Sequence, residues 1–179
     1  MPRAGESHNG DAGFVRIGDV SWLAVVDGLG HGEAAAAASS AALRVLGEAT
    51  RPDASVEEVI GALDAGLVST RGAGALVCRL RGDQLIGCSV GNVALRANTK
   101  GMGTVLSPGI LGRRVPSLRV FEYTMVPRTR LMMFSDGIRR GVDLAAVRDL
   151  SPGAACEAIL ETHREPMDDS TVLIADVRT

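Results

Sequence analysis

Apolar residues along this chain fall into two rhythms. Short apolar runs bounded by Gly, Asp, Asn or Ser predict strands: "GFVRI" (13–17), "SWLAVV" (21–26), "GALVCRL" (74–80), "QLIGCSV" (84–90), "VALRA" (93–97), "GMGTVL" (101–106), "LRVFEYTM" (118–125), "RLMMFS" (130–135) and "STVLIADV" (170–177). The first two are joined by the turn Gly18-Asp19, which reads as a hairpin. In "LRVFEYTM" the alternation puts Phe121, Tyr123 and Met125 on one side. Helical spacing governs three other stretches. Residues 31–48 are alanine-rich, with Ala35, Ala38, Ala42, Val45 and Leu46 on one face, small enough for close approach to a sheet. "RPDASVEEVIGALDAGLVST" (51–70) carries Val56, Val59, Ile60, Leu63 and Leu67 at the helical period, with Ser55 and Glu58 at capping-box spacing. Ser151-Pro152 opens a third helix that runs to about His163. Two strands, two helices, a run of antiparallel-looking strands, one or two helices and a last strand do not alternate as a parallel α/β fold would. The order predicts an α+β architecture of antiparallel sheets covered by helices.

Composition narrows the function classes. Aromatics make up only 3% of the 179 residues, so the core is built from Ala, Val, Leu, Ile and Met. The length is that of one domain, 1–179. A net charge of −2, with both signs spread along the chain, lacks the basic footprint of a nucleic-acid binder. Cys78, Cys88 and Cys156 are odd in number and without CxxC spacing, which argues against a disulfide framework or a cysteine zinc site and suits a reducing compartment. No apolar run approaches the ~20 residues of a membrane span. The expectation is a cytoplasmic protein, a monomer, without nucleic-acid or membrane partners.

The candidate chemistry is acidic. Asp27 ends "WLAVV", Asp136 ends "LMMFS", and Asp168 and Asp169 precede the last strand. Asp11 stands before the first. Antiparallel neighbours bring the end of one strand beside the start of the next, so these carboxylates can gather on one rim. Gathered, they would repel unless cations lay between them, and hard divalent ions favour such oxygen-only surroundings. Each acid also has a plainer reading. Asp27-Gly28 and Asp136-Gly137 are ordinary turn pairs, and "DDS" (168–170) is a solvated turn. The glycine-rich "DGLGHG" (27–32) lacks the lysine of a phosphate loop and does not match GxGxxG.

"NGD" (9–11), "VVDGLGHG" (25–32), "SVGNVAL" (89–95), "FSDGI" (134–138) and "MDDSTVLIADV" (167–177) occur in the order found in the PPM (type 2C) metal-dependent serine/threonine phosphatases. Together they resemble the compact bacterial SpoIIE/RsbU/RsbX branch. The resemblance spans residues 9–177 and implies an αββα sandwich with two Mn²⁺ or Mg²⁺ ions. Asp27 would bridge the ions, the Gly28 carbonyl would ligate one, and Asp136 and Asp168 would hold the other. Asp11 would bind at the rim, directly or through water. A water or hydroxide between the ions would attack phosphorus in line, with no phosphoenzyme. The substrate implied is a phosphorylated STAS-domain protein of a stressosome or sigma-factor switch.

The chain also departs from the family pattern. Where the eukaryotic members have a histidine after the Asp-Gly pair, this chain has Leu29, and His31 follows two residues later. His31 can be read as the proton donor to the leaving oxygen or as a residue serving the start of the helix. Arg3 does not match the upstream phosphate-binding arginine, which leaves phosphate binding mainly to the metals. Asp169 stands where Asn is common and reads as support for Asp168. The extra acids of larger members, and with them a third metal, have no obvious place. "SPGILGRRVPS" (107–117), with Ile110, Leu111, Arg113 and Arg114, is either a partner-recognition rim or a connecting loop. The rivals to a protein phosphatase are a weak or inactive binding module on the same fold and a hydrolase of small phosphate esters.

Overall fold

A computed structural model describes residues 1–177. Its elements are β1 (Asp11–Arg16), β2 (Val20–Gly28), α1 (Glu33–Ala49), α2 (Val56–Gly66), β3 (Ala73–Arg81), β4 (Gln84–Val90), β5 (Ala94–Ala97), β6 (Leu106–Ser107), β7 (Val120–Thr124), β8 (Arg130–Phe134), a 3-10 turn (Leu144–Val147), α3 (Pro152–His163) and β9 (Val172–Asp176). One sheet runs β1-β2-β3-β4, with β6 and β7 sharing the outer edge of β4. The other runs β5-β8-β9. Every strand pair is antiparallel except the two-residue β4–β6 pair.

The strand runs are apolar on consecutive residues because both faces of each sheet are covered. Trp22, Ala24 and Val26 of β2 join a core with α1 and α2, while Leu23 and Val25 join the core between the sheets. On β8, Leu131 and Met133 face that middle core, and Met132 and Phe134 pack with α3 and the 3-10 turn. Three cores thus separate four layers: helices, sheet, sheet, helix. The predicted αββα architecture is the one observed.

Local signals place the helices. Glu58 N donates to Ser55 Oγ (3.1 Å) and Ser55 N to Glu58 Oε2 (2.7 Å), the reciprocal box expected of those residues. Ser151 caps α3 with Pro152 in its first turn. The small face of α1 lies on the sheet, with Ala35, Ala38, Ala42 and Leu46 fully buried. The segment 101–106 differs from expectation. Only Leu106 enters a strand, and Gly103 makes an isolated bridge to Arg96. Two glycines in six residues, with Thr104 Oγ1 bonded to the Leu95 backbone instead of a ladder, account for the interruption. No helix among the described residues is long and apolar enough to cross a membrane.

Candidate metal centre

The acids meet where β1, β2 and β8 reach the same end of the sandwich. Antiparallel pairing sets Asp11 directly opposite Asp27. On β2, Leu23 and Val25 face the gap between the sheets, so the two-residue period aims Asp27 into that gap at its open end. Asp136 follows β8, whose Ser135 is fully buried and donates to Asp11 Oδ2 at 2.5 Å. This hydroxyl crosses from one sheet to the other. Thr171 N donates to the same Ser135 oxygen (3.0 Å), which leaves the hydroxyl proton free for Asp11. Asp27, Asp136 and Asp168 line a cleft of about 250 Å³, together with Asn92 and His31.

Electrostatics separates this cluster from an ordinary turn. The Asp27 carboxyl is pushed up to about 8, first by burial and then by the charges of Asp11, Asp136 and Asp168, and it is in hydrogen-bonding contact with Asp11. Asp11 is pushed up to about 7, again mainly by burial, against the opposing hydrogen bond from Ser135. Asp136 is raised by burial and by Asp168, and it also contacts Asp27. None of the ion pairs among the described residues involves any of these four acids. Among those residues, no three His, Cys, Asp or Glu side chains close around a single point. The acids converge in pairs instead, Asp27 with Asp11 and Asp27 with Asp136. Crowded oxygen donors without a side-chain counter-ion fit a hard divalent cation.

The neighbouring residues are equally specific. A Cβ on Gly28 would stand 2.3 Å from the Ala35 carbonyl oxygen and 2.8 Å from that of Gly10, so only glycine lets α1 and the β1 entry close on Asp27. Asp168 Oδ1 accepts from Asp169 N at 2.9 Å. The Asp169 side chain works elsewhere. It takes Gly10 N (2.9 Å) and Arg3 N (2.8 Å), holding the N-terminal segment that presents Asp11 rather than supporting Asp168. His31 Nδ1 lies 2.8 Å from Glu6 Oε1 at the cleft lip. It does not cap α1, whose N-cap is Gly32, with no side-chain bond. The 107–117 loop is fixed by paired Ala73–Leu111 backbone bonds of 3.1 and 2.9 Å, and Ile110 reaches the cleft.

Sequence reasoning missed Ser135, Asn92 and Glu6. The Asn92 amide donates to Asp136 Oδ2. Ser135 and Asn92 both sit inside motifs quoted for other residues, so adjacency to an acid was the available signal. Glu6 lies in a polar N-terminal stretch with no pattern to mark it.

This four-layer arrangement, with acids at the open end of the gap between the sheets, is the fold of the PPM phosphatases. No family model matches the sequence, and no curated protein does. Solved structures do match. A chain described under the bacterial stressosome, as a modular system adapted to control secondary messenger signalling, superposes with a TM-score of 0.91 at 28% identity, over 97% of this chain and 94% of that one. RsbX in complex with magnesium gives 0.81 at 22% identity, over 97% and 89%. The catalytic domain of the serine/threonine phosphatase PstP in complex with two manganese ions gives 0.73 at 18%, over 100% and 96%. Together with the ordered motifs, these likenesses give the chain the fold of the PPM phosphatases and make it similar to the structures of RsbX and of the stressosome-related chain.

Proposed function

We propose that residues 1–179 form a single metal-dependent protein phosphatase domain that hydrolyses phosphoserine or phosphothreonine on a STAS-domain partner of a stressosome or sigma-factor switch. The observation carrying this reading is Asp27, half-buried between Asp11 and Asp136, with no ion pair among the described residues to neutralise the three and with Arg140 and the N-terminal amine acting only from beyond ion-pair distance. Asp27 would be the shared ligand of two Mn²⁺ or Mg²⁺ ions, with the Gly28 carbonyl serving one and Asp136 and Asp168 the other, and Asp11 at the rim. The ions, when bound, supply an activated water and polarise the phosphoryl oxygens. Ser135 and Asn92 hold Asp11 and Asp136 in orientation. His31, steadied by Glu6, stands at the lip as the proton donor to the leaving oxygen. The magnesium and manganese complexes among the structural neighbours support the choice of ion, and the stressosome neighbours support the choice of partner. Free cysteines suit a reducing cytoplasm, and the proposed working form is the monomer.

The test is Mn²⁺-dependent phosphate release from a phosphorylated STAS-domain protein and from an aryl phosphate, with Asp27→Asn alongside. Metal-dependent turnover that the variant loses is expected. Binding of the phosphoprotein without turnover would instead favour an inactive recognition module, and preference for a nucleotide would favour a small-ester hydrolase.

A further inference from the structure

The lip of the cleft carries a guanidinium that no acceptor among the described residues takes. Arg71 sits in the turn entering β3, and a Cβ placed on Gly30 would be 2.9 Å from its Nη1. The guanidinium therefore lies across the backbone of the 27–32 loop, at a residue that lines the cleft. Gly30 has φ 88°, so a side chain there would be strained and would also displace the guanidinium.

The platform under Arg71 is rigid. Thr70 Oγ1 accepts from Gly72 N (3.0 Å) and donates to Leu67 O (2.8 Å). Leu29 N donates to Gly72 O at 3.0 Å, tying the turn to the cleft loop. Arg113 donates to Thr70 O (2.9 Å) and Arg71 O (3.3 Å). Arg113 thus spends its donors on backbone carbonyls, whereas no acceptor among the described residues takes the Arg71 guanidinium. His31, the other basic group on this lip, is paired with Glu6. Arg140 is felt from the Asp136 side of the cleft.

We propose that Arg71 is a substrate-docking residue whose guanidinium donates to an oxyanion of the phosphoprotein at the cleft mouth. The inference rests on the phosphatase reading above. An exposed guanidinium carried on this fixed turn offers two parallel donors, and it offsets the field of the cleft acids on an approaching anion. Two sources share this chemistry: the phosphoryl group itself, and a carboxylate flanking the phosphorylated residue.

Arg71→Ala and Arg71→Lys are compared with wild type on p-nitrophenyl phosphate and on phosphoserine peptides with acidic or neutral flanks. KM in Arg71→Ala is expected to rise about tenfold or more, the worth of one charge-assisted hydrogen bond. The expected kcat stays within about twofold, because uniform binding is what is lost. Mn²⁺ affinity by calorimetry stays unchanged. Lysine restores only part of the loss, since it cannot donate in the planar fork. An equal rise on all substrates assigns the phosphoryl group, and a rise confined to the acid-flanked peptide assigns the carboxylate. Unchanged KM beside an Mn²⁺-active wild type overturns the docking role and leaves the phosphatase reading standing. If wild type shows no turnover, that reading fails, and Arg71 is judged by fluorescence anisotropy of a labelled phosphopeptide. Binding lost in Arg71→Ala upholds docking; equal binding, or none by wild type, overturns it.

Discussion

The two ends of β8 hold charge in opposite ways. At its start, Arg130 is 6% exposed and saturated. Its Nε and Nη2 reach the two oxygens of Asp176 at 2.6 and 2.8 Å, and its remaining donors take the carbonyls of Val147 and Leu150. Just past its end, Asp136 joins Asp27 and Asp11, carboxyl against carboxyl, without a side-chain cation. The first arrangement is complete within the protein and fastens the 3-10 turn and α3 to the sheet. The second has no ion pair among the described residues, and Arg140 and the N-terminal amine reach it only from beyond ion-pair distance. A larger cavity, about 620 Å³, opens at the Arg130 end, so cavity size alone points away from the chemistry. Charge that the fold leaves unbalanced is the better guide.

Breaking the saturated end should have the largest effect. Arg130→Met strips the exposed Asp176 of its guanidinium partner and frees two carbonyls, and the lost hydrogen bonds are worth about 1 kcal/mol each net. Urea unfolding should show that loss with the metal-free and Mn²⁺-loaded proteins alike. Above pH 8, where Asp27 is ionised, Asp27→Asn should act the other way on the metal-free protein, raising its melting temperature by removing a repelled carboxylate. The same change should weaken Mn²⁺ binding at least about a hundredfold, since even outer partners of ligands are worth 10–100-fold. If both variants destabilise the metal-free protein equally, the contrast between the two ends is wrong.

The pH dependence sharpens the same contrast. Asp11 and Asp27 have folded-state values near 7 and 8, far above an unfolded aspartate. Between pH 4 and these values the folded protein holds protons that the unfolded chain has released. Stability without metal should therefore fall as pH rises through that window, by up to about 1.4 kcal/mol per pH unit for each carboxyl, and level off above it. Mn²⁺ competes with those protons, so its affinity should climb over the same range. Melting curves and calorimetry from pH 5 to 8.5 measure both. In Asp27→Asn the fall in metal-free stability should be shallower.

Much of this was legible before the structure. The run "LMMFS" announced a strand buried on both faces, and Ser55 with Glu58 announced where α2 begins. The ordered acids announced one rim, because strand pairing fixes which ends are neighbours. The hidden parts depend on long-range contacts between side chains. Arg130 meets Asp176 only through the β8–β9 register, and Ser135 meets Asp11 across 124 positions. Asp169 read as support for its neighbour, yet its carboxylate caps Gly10 N, 159 positions away. Turn chemistry gives no hint of such a partner. Arg71 was one arginine among many until Gly30 was seen beneath it.

The smallest expected effect tests how the unbalanced end is kept in order. Ser135→Ala removes the hydroxyl that receives Thr171 N–H and passes a hydrogen bond to Asp11 Oδ2, leaving both groups short of a partner. No charge changes, so the variant separates orientation from electrostatics. If repulsion alone defined the site, Mn²⁺ affinity would be unaltered. If the cross-sheet hydroxyl aims Asp11, affinity should fall about tenfold, the lower end of what outer-sphere partners contribute. Ser135→Thr restores the hydroxyl and should recover most of that loss, which a purely steric role would not predict. Because Ser135 adjoins Asp136, the same hydroxyl fixes the end of β8 against β1. Mn²⁺ titrations of the three proteins at pH 8.5, the end of that range where proton competition is weakest, isolate the contribution of this one bond.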